Sequence, residues 1–233
     1  MGYHGDIRTR SGRKTAMTRP IPIQIVSDIV CPWCYIGKRR LEKALAGRPD
    51  LAVEVTWFPY QLSPDMPREG RDRAEHHASI FGAERAVQIR EKMQTLGAAE
   101  GIAFDMPPGA RAPNTLSAHV LMYWASRSAG IDQNLLAEKL FHAHHVRGED
   151  IGNPVVLAGI ASEVGMNAAE VLTALRDGTD EDTVRGLIGQ ARQAGVSGVP
   201  FFIFDGRHAL SGAQPPEAII EVLEEITRSE AAH

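Results

Sequence analysis

Apolar and polar positions partly alternate over residues 21–27 (Ile-Pro-Ile-Gln-Ile-Val-Ser), a β-branched run that predicts a strand. From Pro32 to about Ala46 the apolar spacing turns helical, and Gly47 and Pro49 supply a stop. Residues 51–59 alternate again, with Val53, Val55 and Trp57 on one face and Glu54, Thr56 and Phe58 on the other. Two strands joined by a helix make a βαβ unit with parallel strands. Between about Gln61 and Gly195 strand signals nearly vanish. Helical periods occupy 71–80, 83–97, 114–129, 132–146, 153–164, 168–176 and 181–194, punctuated by Gly, Pro, Asn and Asp. A strand returns over 199–204, and Asp205-Gly206 separates it from 207–210, which predicts a hairpin with a two-residue turn. Pro215 and Pro216 open a last helix whose Ile219, Val222, Leu223 and Ile226 recur at helical spacing. The order β-α-β, helical block, β-β-α predicts an α/β protein with a small mixed sheet. Its two pieces, 21–61 and 195–229, must meet in space because neither buries its apolar face alone, and residues 62–194 form an all-helical inserted domain.

Composition changes this picture little. Of 233 residues, 43% are hydrophobic and 23% charged, enough for a normal core and against global disorder. A net charge of -4 gives no reason to expect nucleic acid or an anionic membrane as partner. No apolar run approaches the ~18 residues of a membrane helix. Residues 1–20 carry Arg8, Arg10, Arg13, Lys14 and Arg19 without an apolar stretch, which argues against a secretory signal. They read as a disordered leader, with Met17 as an alternative start and a transit peptide as the weaker option. The expected location is cytoplasmic.

The chain has two cysteines, Cys31 and Cys34, so no framework of structural disulfides exists. A bridge closing so short a loop adds little stability, and the pair invites a chemical explanation. With Cys31 as N-cap and Pro32 as first helical residue, the Cys31 side chain faces the free N–H groups of Trp33 and Cys34 and the positive end of the helix dipole. Helix N-termini favour the thiolate, the nucleophile of disulfide exchange. Cys34 lies one turn further in and shares a core-directed face with Leu41 and Leu45. Cys31 precedes the helix and should be more exposed. Cys31 then attacks, and Cys34 resolves the mixed disulfide. The competing readings are a zinc half-site and two inert buried cysteines. Zinc sites take four ligands, no second CxxC exists, and no metal is expected.

Pro200, in Gly195-Val-Ser-Gly-Val199-Pro200, stands at the head of an internal strand, where it lacks a ladder donor. It fits a tight loop as a cis-proline, which would leave the Val199 backbone free to pair with an extended substrate beside the cysteines. A trans-proline at a strand start is the alternative; the CxxC and the strand order favour cis.

Four segments carry a family resemblance: Ser27-Asp28-Ile-Val-Cys31-Pro-Trp-Cys34-Tyr-Ile-Gly37, Arg111-Ala-Pro-Asn114-Thr115-Leu-Ser-Ala-His119, Gly195-Val-Ser-Gly-Val199-Pro200-Phe-Phe-Ile-Phe204 and Ser211-Gly-Ala-Gln214-Pro215. In this order they resemble the DsbA family of thioredoxin-fold proteins, and within it the FrnE-like branch, over about residues 21–228. The resemblance implies a thioredoxin-like fold with an inserted helical domain, a Cys31 nucleophile, a Cys34 resolving thiol and cis-Pro200. Pro32, Trp33 and Val199 would support the active site, and the substrates would be protein or small-molecule thiols and disulfides. The related kappa glutathione transferases and 2-hydroxychromene-2-carboxylate isomerases use serine where Cys31 stands. The retained pair therefore favours redox work over glutathione-dependent isomerisation or transfer; a chaperone-like binding role is a further alternative. No cofactor beyond the redox-active disulfide is expected. Glutathione is a candidate co-substrate and a homodimer a candidate assembly.

Other residues keep two readings. Asp28 tunes Cys34 or assists proton transfer on one reading, and stabilises a turn on the other. Asn114 either caps a helix or lines the cleft facing the cysteines. His142, His144 and His145 are read as a polar or partly buried helix surface, since their spacing does not put all three on one face for a metal. His76 and His77 are read as a solvated helix face.

Overall fold

In the computed structural model, residues 19–104 and 106–231 are described. The leader reading of 1–20 falls, for residues 1–18, outside the described residues. Arg19 corrects its far end: the side chain pairs with Asp205 at 2.7 Å and Glu230 at 3.1 Å, which ties it to a hairpin and the last helix.

The elements are β1 (Ile21–Ser27), α1 (Pro32–Ala46), β2 (Val53–Pro59), β3 (Arg71–Asp72), α2 (Arg73–Phe81), α3 (Ala83–Ala99), β4 (Arg111–Ala112), α4 (Leu116–Arg127), α5 (Gln133–His145), α6 (Pro154–Glu163), α7 (Ala168–Arg176), α8 (Glu181–Gln193), β5 (Phe201–Phe204), β6 (His208–Ser211) and α9 (Pro216–Ala231). The sheet order is β2-β1-β5-β6. β1 runs parallel to β2, from Ile21 opposite Val53 to Ser27 opposite Pro59, and antiparallel to β5, with Val26 opposite Phe201. The two sequence-distant halves thus join along β1. An internal strand is buried on both faces, which explains its apolar content: Ile21, Ile23 and Ile25 enter the main core, and Val26 packs with Tyr60 and Val196 on the other side.

The helices extend the same core. Leu121, Leu136, Leu140 and Phe141 belong to one apolar cluster with Ile23, Phe202, Leu223 and Ile226. An edge strand leaves backbone groups unpaired, and α5 satisfies those of Trp57 in β2. The Gln133 side chain accepts the Trp57 N–H at 2.9 Å and donates to the Trp57 carbonyl at 3.2 Å. The Trp57 indole donates to Asn134 at 3.2 Å.

Two expectations need correction. The segment 62–194 is not all helical: β3 and β4 pair antiparallel, Arg71 opposite Ala112. Two residues per strand are too few to show a period of two. The hairpin turn is also longer than expected. Asp205 and Gly206 take the predicted positive φ (50° and 66°), and Arg207 N–H donates to Phe204 O at 3.1 Å. Pairing nevertheless resumes at Phe204 opposite His208, so Arg207 belongs to the loop.

Candidate active site

Cys31 is the N-cap of α1, extended at φ -83° and ψ 112°, and Pro32 follows as the first helical residue. The turn before it closes through Cys31 N–H to Asp28 O at 3.0 Å. Two details differ from the sequence reading. Cys31 is as buried as a core residue, at 4% exposure, rather than open to solvent. Its sulfur accepts no helix N–H; as a free thiol it donates to the Val199 carbonyl at 3.6 Å. The reason for both is the loop carrying Val199 and Pro200, which lies over the sulfur. The Val199–Pro200 peptide bond is cis. Trp33, between the cysteines, keeps 37% of its surface exposed.

Cys34 is a free thiol buried at 1% exposure. Burial pushes its pKa well up, and hydrogen bonding and charge at Cys31 add to this. The Ser27 hydroxyl and the Asp28 backbone pull weakly the other way. The inner thiol therefore holds its proton firmly. Ser27 Oγ is buried and has no other hydrogen-bond partner. Gly37 lies one turn beyond Cys34, under the proline loop. A Cβ there would stand 3.0 Å from Pro200 Cγ and 3.1 Å from Phe202 Cζ.

Asp28 is fully buried, with one carboxylate oxygen 3.3 Å from His119 Nε2 and the other accepting Leu62 N–H at 2.8 Å. Its carboxylate knits β1, α4 and the chain after β2, while its backbone serves the turn and Cys34. His119 was not singled out as a site residue, and its only sequence signal is membership of the Asn114–His119 segment. It lines, with Ser27, Trp57, Met122, Tyr123 and Arg127, a cavity of about 310 Å³. Asn114 takes the capping role from one residue earlier than expected: Oδ1 accepts Leu116 N–H at 2.9 Å and Gln61 Nε2–H at 3.1 Å. Its Nδ2 also donates to Met66 O at 2.6 Å.

The histidine readings change most. His144 and His145 are core residues, at 4% and 3% exposure, because the last turn of α5 packs on the loop leading to Cys31. His145 Nε2 lies 2.9 Å from Ile29 O. Burial pushes His145 down to about 3 and His144 well below its ordinary range. His142 alone faces outward, toward Arg147 at 3.0 Å. His76 and His77 are half-buried rather than solvated, and burial, with Arg73 beside it, pushes His77 down to about 4. Among the described residues no group of three or more His, Cys, Asp or Glu is placed to hold a metal.

The chain matches the family model of a DSBA-like thioredoxin domain over residues 22–224. YwbO, an uncharacterized protein of Bacillus subtilis (strain 168), is 29% identical over 196 residues, 83% of this chain and 90% of that one. A probable DsbA oxidoreductase from Streptomyces coelicolor shares 29% identity with a TM-score of 0.79, over 88% of this chain and 89% of that one. DsbM from Pseudomonas aeruginosa, a cytosolic disulfide reductase solved with GSH, superposes with a TM-score of 0.53 at 18% identity, over 89% of this chain and 99% of that one. At that identity the likeness is one of fold alone.

Proposed function

The chain belongs to the family of DSBA-like thioredoxin domains, and from that premise we propose that it exchanges thiols and disulfides through Cys31 and Cys34. The observation that carries this reading is the placement of both cysteines on the first turn of α1, with the Cys31 sulfur against the Val199 carbonyl. The Cys31 thiolate attacks a substrate disulfide and expels one substrate thiolate, which takes up a proton. Cys34 gives up its proton and attacks Cys31 Sγ, releasing the second substrate thiol. The substrate is reduced and the Cys31–Cys34 disulfide forms; an external thiol pair returns the enzyme to its reduced state. Val199 offers its backbone to an extended substrate once the Cys31 thiol no longer holds its carbonyl. Glutathione is a suitable reductant, in keeping with the GSH seen with DsbM, and we place the activity in the cytoplasm.

Thiol-dependent reduction of insulin tests the reading. Cys31→Ser abolishes turnover, whereas Cys34→Ser still attacks and accumulates the mixed disulfide, detectable by mass. Full turnover by the Cys31→Ser protein would overturn the mechanism.

A further inference from the structure

The cavity of about 310 Å³ lies between β2, α4 and α8, at the end of β1. Two buried polar residues line it. Ser27 is 3% exposed, and its hydroxyl has no hydrogen-bond partner beyond its weak pull on the Cys34 thiol. A buried hydroxyl left without a partner is unfavourable, so the cavity calls for a polar group beside it. His119 is also 3% exposed, with Nε2 standing 3.3 Å from Asp28 Oδ1. The carboxylate accepts there, which assigns the ring proton to Nε2 and leaves Nδ1 of the neutral ring as an acceptor. One lining group can therefore donate and the other accept.

The walls are apolar and come from three elements: Trp57 of β2, Met122 and Tyr123 of α4, and Leu187 of α8. Trp57 is fixed in place, because Gln133 accepts its backbone N–H at 2.9 Å and Asn134 accepts its indole N–H at 3.2 Å. Arg127 also lines the cavity; it lies 5.4 Å from the centre of the Tyr123 ring and is exposed, which puts one end of the cavity at the solvent. The volume sets the size of a ligand. A dry cavity of about 150 Å³ accepts benzene, so one of about 310 Å³ holds a single substituted ring. Aromatic walls suit a ring, which they can meet edge-on or offset. We infer that this cavity binds a small phenol, with its hydroxyl between Ser27 and His119 and its ring among Trp57, Met122, Tyr123 and Leu187. The phenol O–H donates to His119 Nδ1, and its oxygen accepts from Ser27 Oγ. Among the described residues, neither cysteine nor the Val199–Pro200 loop lines the cavity, so the bound phenol is a ligand beside the reacting pair and not its substrate.

Two probes that differ by one group test the site: p-cresol, and toluene, which keeps the ring and the methyl group and lacks the hydroxyl. Both are titrated calorimetrically into the full chain. p-Cresol is expected to bind about tenfold more tightly, because toluene displaces water from Ser27 and His119 without replacing its hydrogen bonds. Ser27→Ala is expected to weaken p-cresol binding about tenfold and to leave toluene binding no worse, so that the preference disappears. Leu187→Trp fills the cavity from a partly exposed position and is expected to abolish binding of both probes. Equal affinity for the two probes, or no binding of p-cresol, overturns the site, and this comparison needs no variant. Unchanged p-cresol affinity in folded Ser27→Ala or Leu187→Trp protein overturns it as well.

Discussion

Gly37 sets how closely the Pro200 loop rests on α1. A glycine inside a helix costs about 0.5–1 kcal/mol relative to alanine, so α1 alone would favour a side chain there. A Cβ would meet Pro200 Cγ at 3.0 Å and Phe202 Cζ at 3.1 Å, closer than ordinary contact. Phe202 is fully buried and has little room to yield. Overpacking of this kind costs about 1–3 kcal/mol, which exceeds the gain in helix propensity. Gly37→Ala is expected to lower stability by about 1 kcal/mol and to slow insulin reduction several-fold, because the loop that holds Val199 over Cys31 is pushed outward. Urea unfolding and initial rates read the two effects separately. A variant more stable than its parent at an unchanged rate would show that the loop moves freely to accept the methyl group.

At the scale of elements, α1 is held to α5 by one carboxylate. Glu138 accepts from Lys38 at 2.9 Å, Arg39 at 2.5 Å and Tyr35 at 2.7 Å. The Tyr35 ring stacks on Phe141 of the same helix, with centroids 5.1 Å apart. Lys38 is 2% exposed and its other partner is Glu42. Burial works against the Glu138 charge, but hydrogen bonds from Lys38 and Tyr35 and the nearby cations hold its pKa below the usual range. Breaking a buried pair costs about 3–5 kcal/mol. Glu138 is partly exposed and Glu42 remains, so Glu138→Gln is expected to cost about 2 kcal/mol in chemical denaturation. Adding Lys38→Met should recover part of the loss, since the orphaned ammonium leaves with the lysine. A double variant no better than the single one would place the loss elsewhere. The start of α1 and the inward face of Cys34 were legible in the sequence because an N-cap, a first-turn proline and a helical period are local signals. The clamp was not, because Lys38 and Glu138 are 100 residues apart and each reads alone as a surface charge.

For the whole molecule, the meeting of the two sheet-forming halves was legible because the βαβ unit and the hairpin each had an apolar face to bury; that they join along β1 was not. The β3–β4 pair, the cover of Cys31 and the burial of His144 and His145 depend on which surfaces meet, and no periodicity encodes that. These two histidines give the molecule a pH dependence that its ion pairs alone would not. In the unfolded chain a histidine takes up its proton near pH 6.5, whereas folded His145 waits until about 3 and His144 lies in the same direction. A base with a depressed folded pKa favours the unfolded state as acid is added. Stability should therefore fall from about pH 6.5 downward, by up to about 1.4 kcal/mol per pH unit for each of the two. Glu138 and Glu100, held low by their cation partners against the effect of burial, contribute stability above their unfolded pKa that is lost only at lower pH. Their contribution begins to fade near pH 4–5 and adds to the same slope. The urea midpoint is expected to decline between pH 6.5 and 5, before the carboxylates titrate. His145→Gln, whose amide can still donate to Ile29 O, should flatten that part of the curve. A midpoint that is level down to pH 5 and falls only below it would mean that the buried imidazoles do not hold off their protons, and that the acid limit of this fold is set by its carboxylates.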